Sequence, residues 1–182
     1  MRIAKEMYLY CKEKGFGQGQ NEKWGIKHFS LIEESLLNNE DVLMAFIGLH
    51  NYKSLTKHDN NYAYVITNQR FIMAQKRMMG NSIQTVSLNN INDITLNSGA
   101  ALGIVTIDSI KEVFNIAVDK KSAKLIYNEI HNVLGNISKS TNVSINGNNS
   151  NIDDIYKLKE LLDNGIITQE EFDLKKKQIL GI

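Results

Sequence analysis

The chain has 182 residues, 42% of them apolar, enough for one ordinary domain with a core plus an appendage. Its net charge is +1, so no overall field steers it toward nucleic acid or a membrane, and any basic site has to be local. Cys11 is the only cysteine, which excludes an intrachain disulfide and fits a reducing, cytoplasmic setting; no apolar run approaches the ~20 residues of a bilayer-spanning helix, and although Arg2 and Lys5 stand at the N-terminus, Glu6, Lys12 and Glu13 break any leader-like run.

Residues 2–14 read as a helix, because Ile3, Met7 and Cys11 recur every four residues with Tyr8 beside them. The run Gly15-Phe16-Gly17-Gln18-Gly19 ends it. That run follows a helix and lacks Gly-Lys-Ser/Thr, so it reads as a connection rather than a phosphate loop. A second amphipathic helix is expected from about Lys23 to Leu37, burying Phe29, Ile32 and Leu36, with Ile26 and Leu37 flanking.

Strands follow. Val42 to Leu49 is a nearly continuous apolar run, short enough for a buried strand. The polar stretch His50 to Asn61 leads into Tyr62 to Lys76, two strands of β-branched and aromatic residues that turn at Asn68-Gln69. Gly80-Asn81 marks the next reversal. Further strands are expected over Ser82 to Leu88, Asp93 to Asn97, Leu102 to Asp108 and Lys111 to Val118, the last two turning at Ser109-Ile110. Asp119 is a good N-cap for a helix carrying Ala123, Ile126, Tyr127, Ile130 and Val133 on one face, and Gly135 is placed to stop it.

The polar stretch 136–151 reads as a flexible linker. Beyond it, Ile152, Ile155, Leu158 and Leu161 mark a helix that Asn164-Gly165 stops. Thr168 and Glu171 form a capping box for another helix, with Ile167 and Phe172 placed as a hydrophobic staple and Lys175, Lys176 and Lys177 near its C-terminal end. The expected organisation is an N-terminal helical region (1–39), a barrel domain (40–135), the linker (136–151) and a helical hairpin (152–182).

Two resemblances rest on these residues. Gly165-Ile166-Ile167-Thr168, followed by Glu170-Glu171-Phe172, resembles the SHOCT (short C-terminal domain) module over residues 152–180. Residues 40–135, through Tyr64-Val65-Ile66-Thr67-Asn68-Gln69-Arg70-Phe71-Ile72, the spaced Leu88, Ile91 and Ile94, and the closing helix, resemble bacterial pleckstrin-homology (PH) domains of the YokE-like type. The resemblance implies an α+β chain: a seven-stranded antiparallel barrel capped by a C-terminal helix, preceded by two helices and followed by a linker and a small helical hairpin. Neither family implies an enzyme.

The residues themselves offer no catalytic, cofactor-binding or metal-ligating set. His28, His50, His58 and His131 have no zinc-ligand spacing, and no nucleophile motif surrounds a serine. A local basic bias stands out. Between Val42 and Asn90 lie Lys53, Lys57, Arg70, Lys76 and Arg77 against one acid, Asp59. Lys53, Lys57, Lys76 and Arg77, with Met78 and Met79 at a hairpin tip, form the candidate contact for an anionic ligand or membrane surface. A second candidate surface is the apolar face of the hairpin: Ile155, Leu158, Leu161 and Leu162 on one helix, Phe172 and Ile179 on the other. Some thirty residues in two short helices bury too little to stand alone, so this face is expected to meet a protein partner or another copy of the chain. The expected function is a non-enzymatic cytoplasmic interaction module, the PH-like domain binding protein and the hairpin mediating oligomerisation or partner docking. The alternatives are a peripheral membrane module that recognises anionic lipid headgroups and, more distantly, an enzyme. No cofactor and no nucleic-acid partner are expected.

Overall fold

The computed structural model describes residues 1–17, 20–99, 101–163 and 168–180. Helices α1 (Ala4–Lys14) and α2 (Glu22–Ser35) precede the strands β1 (Val42–Leu49), β2 (Asn61–Thr67), β3 (Arg70–Lys76), β4 (Asn81–Ser87), β5 (Ile91–Ser98), β6 (Leu102–Ser109) and β7 (Val113–Asp119). Helices α3 (Lys120–Asp163) and α4 (Gln169–Leu180) follow. The chain divides into two compact units, Met1–Leu134 and Gly135–Ile182.

In the first unit the strands form one antiparallel sheet in the order β4-β3-β2-β1-β7-β6-β5. β1 pairs with β2 over its whole length but with β7 only at Leu49↔Ala117. Two antiparallel halves are therefore joined at one narrow seam, and their inner faces meet. The inner face of β1–β3 carries the large rings. Phe46 stacks on Tyr64 at 4.8 Å between centroids, Tyr64 on Phe71 at 5.8 Å, and His50 reaches Phe114 of β7 at 5.8 Å.

The alternate residues, Ala45, Ile47, Ala63, Val65, Ile72 and Ala74, point away from those rings and are also buried. Helices α1 and α2 cover that outer face, α1 against β1 and α2 against β2 and β3. Burial on both faces is why the sequence of β1 is nearly continuously apolar. β4, by contrast, shows alternating exposure along its length. The first turns of α3 close the other half through Ala123, Ile126 and Ile130, all fully buried. Asp119 caps α3 by accepting from the Ser122 N–H at 2.9 Å. Gly103 of β6 admits the helix: a Cβ there would lie 2.3 Å from that of Ala123.

Several expectations change in detail. The β6–β7 reversal is a four-residue turn in which the Ser109 N–H donates to the Glu112 carbonyl at 3.0 Å, not a turn at Ser109-Ile110 alone. α3 does not stop at Gly135, and residues 136–151 are helical backbone rather than an irregular linker. The physical reason is local. A terminating glycine takes a left-handed conformation, and among the described residues the glycines with positive φ are Gly15, Gly17 and Gly80. A glycine inside a helix costs only about 1 kcal/mol relative to alanine, and the chain has no proline to impose a break.

In the second unit the capping box forms as the sequence predicts. The Thr168 N–H donates to Glu171 Oε2 at 2.9 Å, and the Glu171 N–H donates back to Thr168 Oγ1 at 3.3 Å. The Asn164-Gly165 turn, the Ile167 staple, and Gln18 and Gly19 of the first loop lie outside the described residues.

Candidate functional site

The β3–β4 turn is built by its sequence. The Arg77 N–H donates to the Gly80 carbonyl at 3.1 Å, and Gly80 supplies the left-handed conformation (φ 83°) that closes the reversal. Nothing packs on the two residues between. Met78 is 98% exposed and Met79 92%. The tip therefore presents two apolar thioether side chains to solvent, with Lys76 and Arg77 at its base.

Arg77 is held in place. Its Nε donates to Gln75 Oε1 at 2.7 Å and its Nη2 to the Tyr62 hydroxyl at 2.9 Å. Gln75 is itself buried and fixed, because its amide donates to the Asp59 and Asn61 carbonyls at 2.9 and 3.0 Å. Both acceptors of Arg77 are neutral. Among the described residues neither Arg77, Lys76 nor Lys27 forms an ion pair with a carboxylate, whereas Arg70 does.

These cations share a cavity. Trp24, Lys27 and His28 of α2 face the ends of β2 and β3 across a space of about 770 Å³ that Lys76 and Arg77 also line. His28 is buried, stacked on Trp24 at 3.7 Å, with Nδ1 2.8 Å from the Trp24 carbonyl. Burial pushes its pKa below the ordinary imidazole value, so it enters the wall as a neutral ring.

Lys53 and Lys57 go elsewhere. They lie in the β1–β2 loop, where the Lys53 N–H donates to the Lys57 carbonyl at 2.9 Å, and they line a separate cavity of about 520 Å³ with Glu112 and Asn115. Asp59 and His58 border both cavities. Lys53 and Lys57 thus face two carboxylates, Glu112 and Asp59, while Lys27, Lys76 and Arg77 face only Asp59. His50, which sequence position assigns to the same loop, is instead buried inside the sheet against Tyr64, with Nδ1 2.9 Å from the tyrosine hydroxyl. Its burial lowers its pKa and keeps it neutral.

Of the hairpin candidates, Phe172 is buried, with the Lys176 ammonium 5.8 Å from its ring centre, and Leu158 and Leu162 are half-buried. The side chains of Ile155, Leu161 and Ile179 lie outside the described set. Among the described residues no three His, Cys, Asp or Glu side chains gather as metal ligands.

The model of a family described as bacterial PH domain matches residues 36–160, more than half of the chain. The chain belongs to the bacterial PH domain family. Residues 157–180 match the short C-terminal domain. Solved structures similar to the chain include the Vps36 N-terminal PH domain, at 16% identity and TM-score 0.43, covering 57% of this chain and 86% of that one. A DUF1696 family protein with a pleckstrin-homology domain from Shewanella loihica is similar at 14% identity and TM-score 0.41, covering 62% and 91%. The hSac2 domain from the human phosphoinositide phosphatase Sac2 is similar at 13% identity and TM-score 0.45, covering 68% and 86%. No curated protein matches the chain. The match begins at residue 36, so α2, with Trp24, Lys27 and His28, lies outside the part of the chain that carries the family pattern.

Sequence reasoning missed those α2 residues. Lys23 and Lys27 stand one turn apart on a polar helix face, which by itself reads as solvated surface. Only docking of α2 on β3 brings Lys27 to Lys76 and Arg77.

Proposed function

We propose that the chain is a non-enzymatic, cytoplasmic docking module that meets an anionic membrane surface through the tip of its β3–β4 hairpin. The observation that supports this is the near-complete exposure of Met78 and Met79, flanked by Lys76 and Arg77. Two adjacent large apolar side chains standing clear of a folded domain mark a contact surface, and basic residues beside them favour the headgroup layer. Transfer of each methionine from water is worth about 1.5–3 kcal/mol, and each basic residue near an anionic surface about 1 kcal/mol. The sum is that of weak, reversible, peripheral binding. Among the described residues no helix is long and apolar enough to cross a membrane. The C-terminal hairpin, on this reading, gathers copies of the chain or a protein partner.

Co-sedimentation with phosphatidylcholine vesicles containing phosphatidylglycerol tests the reading. Wild-type chain should pellet with them, less so as salt rises, and not with pure phosphatidylcholine. Met78→Asp with Met79→Asp should abolish pelleting without changing the melting temperature, since neither side chain packs on anything. Failure of the wild type to pellet, or pelleting indifferent to the tip and to salt, would sink the membrane reading and leave protein docking in its place.

A further inference from the structure

We infer that the free edge of β4 pairs with the same edge of a second copy of the chain, antiparallel and across a two-fold axis at Gln84. β4 is one end of the sheet, and its packing partners are β3 and, more lightly, α2. Its ladder with β3 fixes which backbone groups face outward. The Arg77 N–H donates to the Gly80 carbonyl at one end of the hairpin, and the Leu88 N–H donates to the Gln69 carbonyl at the other. Between these two bonded pairs the register is unbroken. Bonded and open pairs alternate along an antiparallel ladder. Ser82, Gln84 and Val86 therefore direct their backbone groups to β3, whereas Asn81, Ile83, Thr85 and Ser87 aim theirs away from the sheet. Among the described residues no turn, loop or side chain bonds the N–H or carbonyl of those four.

Folded proteins guard such an edge with charge, proline or a bulge. β4 has none of these. Its sequence, Asn81-Ser82-Ile83-Gln84-Thr85-Val86-Ser87, carries no charged residue and no proline, and its ladder with β3 runs without a register shift. At the other end of the sheet, β5 carries Asp93 and a register shift between Ile91 and Asp93. The order of residues in β4 selects the occupant. An antiparallel pairing centred on Gln84 sets Ile83 against Thr85 and Asn81 against Ser87, in both directions. Every outward backbone group of one copy then meets an outward group of the other. A charge on such a strand would lie close to its own copy across the axis, and an uncharged strand has no such penalty. The pairing also covers Ile83, which is otherwise 43% exposed.

The charges of α2 select the same partner. α2 runs alongside β4 in the same direction. Lys27 lies near Lys76, which pairs with Asn81, and the Ser35 carbonyl accepts from Arg70, which pairs with Ser87. Gly25 and Glu33 face α1: a Cβ on Gly25 would clash with the Tyr8 ring, and Glu33 accepts from the Ala4 N–H at 2.7 Å. Lys27 and Glu34, both exposed and about two turns apart, lie on the other flank, toward β4. The two-fold axis reverses the second α2, so Lys27 of each copy comes opposite Glu34 of the other. Opposite charges in this order favour a second copy over an unrelated strand. One strand and one helix flank per copy make a small contact of the weak, transient class. Its dissociation constant is about millimolar, so the hairpin sets the mass of the chain at lower concentration.

Disulfide trapping tests the pairing in full-length chain carrying Leu158→Asp and Leu162→Asp, where association through the hairpin does not contribute. Ile83→Cys and Thr85→Cys chains are mixed near millimolar concentration with oxidised glutathione. Facing residues in a bonded pair have Cα atoms about 5.5 Å apart, within disulfide reach, whereas like positions of two copies lie on a diagonal of about 7–8 Å. The mixture should yield several-fold more covalent dimer than either variant alone. Cys11 is buried and common to all three samples. Lys27→Glu in both chains should lower the yield several-fold, and Glu34→Lys added to it should restore the yield. Hydrogen exchange needs no cysteine: the Ile83 and Thr85 amides should slow as concentration rises, and in a Thr85→Lys chain they should not. If those amides exchange alike at every concentration, the edge is unpaired and the inference is wrong. If all three trapping samples give equal dimer, or none, the register about Gln84 is wrong. A yield that Lys27→Glu leaves unchanged, or that Glu34→Lys does not recover, overturns the two-fold arrangement.

Discussion

The carboxylate of Glu40 accepts four hydrogen bonds in the polar interior of the first unit. It is fully buried and accepts from Arg70 Nε and Nη2, both at 2.8 Å, from the Thr67 hydroxyl at 2.8 Å and from the Leu37 N–H at 3.0 Å. Burial alone would raise its pKa, but the guanidinium and the other donors outweigh that and hold it at about 2. Arg70 Nη2 also donates to the Ser35 carbonyl at 2.8 Å, so the pair ties the end of α2 to the β2–β3 turn. Arg70 is therefore part of the frame and is lost to the basic bias seen in the sequence. Breaking such a pair from one side leaves an uncompensated charge, so Glu40→Ala should cost roughly 3–5 kcal/mol in chemical denaturation. The pH dependence follows from the lowered value. Glu40 contributes fully above its ordinary pKa of 4.5, and its contribution fades as pH falls from there toward about 2. Glu40→Gln should thus be less stable than the wild type at about pH 6, with the gap narrowing at about pH 3. A gap that stays constant with pH would show that the pair is not what stabilises this corner.

Among the elements, the order of layers explains the composition of the strands. α1 and α2 lie outside β1–β3, and the first turns of α3 lie against the β6 side through the contact at Gly103. That contact limits how closely α3 approaches β6. A methyl group on Gly103 would sit 2.3 Å from the Ala123 methyl, far inside van der Waals distance, with the Lys120 Cα at 3.4 Å behind it. Gly103→Ala should destabilise the first unit by about 1–3 kcal/mol through this overpacking. Ala123→Gly in the same chain should recover part of the loss, which separates a clash from a backbone effect at residue 103. No recovery would mean that strand conformation, not helix packing, requires the glycine.

For the whole molecule, the question is how a weak tip becomes useful. On the proposed membrane reading, one pair of methionines and a few cations give modest affinity, and linking several copies would raise it without any new contact. The second unit is proposed for that role. Its α4 is capped by Thr168 and Glu171, and it leaves Leu174 61% exposed. Self-association through the hairpin predicts a light-scattering mass that is a multiple of 20.6 kDa at high micromolar concentration. Leu158→Asp with Leu162→Asp should return it to 20.6 kDa while leaving the first unit's melting transition in place. A wild-type mass of 20.6 kDa throughout, with no partner retained by residues 152–182, would assign the hairpin a role within its own chain.

What the sequence determined by itself is what depends on neighbours along the chain. Apolar spacing marked both N-terminal helices and all seven strands. Asn68-Gln69 and Gly80 marked two reversals, and Thr168 with Glu171 marked the start of α4, because helix caps, tight turns and side-chain periods are properties of a few consecutive residues. The same local reasoning over-read Gly135, since a glycine stops a helix only where the backbone turns left-handed. What tertiary structure alone decided is which polar faces meet. The unbroken apolar run of β1 implied two covered faces, but only packing showed that α1 and α2 cover the outer one. That packing carried Lys27 to Lys76 and Arg77, while closure of the sheet turned His50 toward Tyr64 and Phe114 and left Lys53 and Lys57 beside Glu112 and Asn115, and Arg70 joined Glu40 at the end of α2. Polar side chains on separate elements come together only after the apolar faces beneath them have chosen their partners, and that choice is not encoded within any one stretch of the sequence.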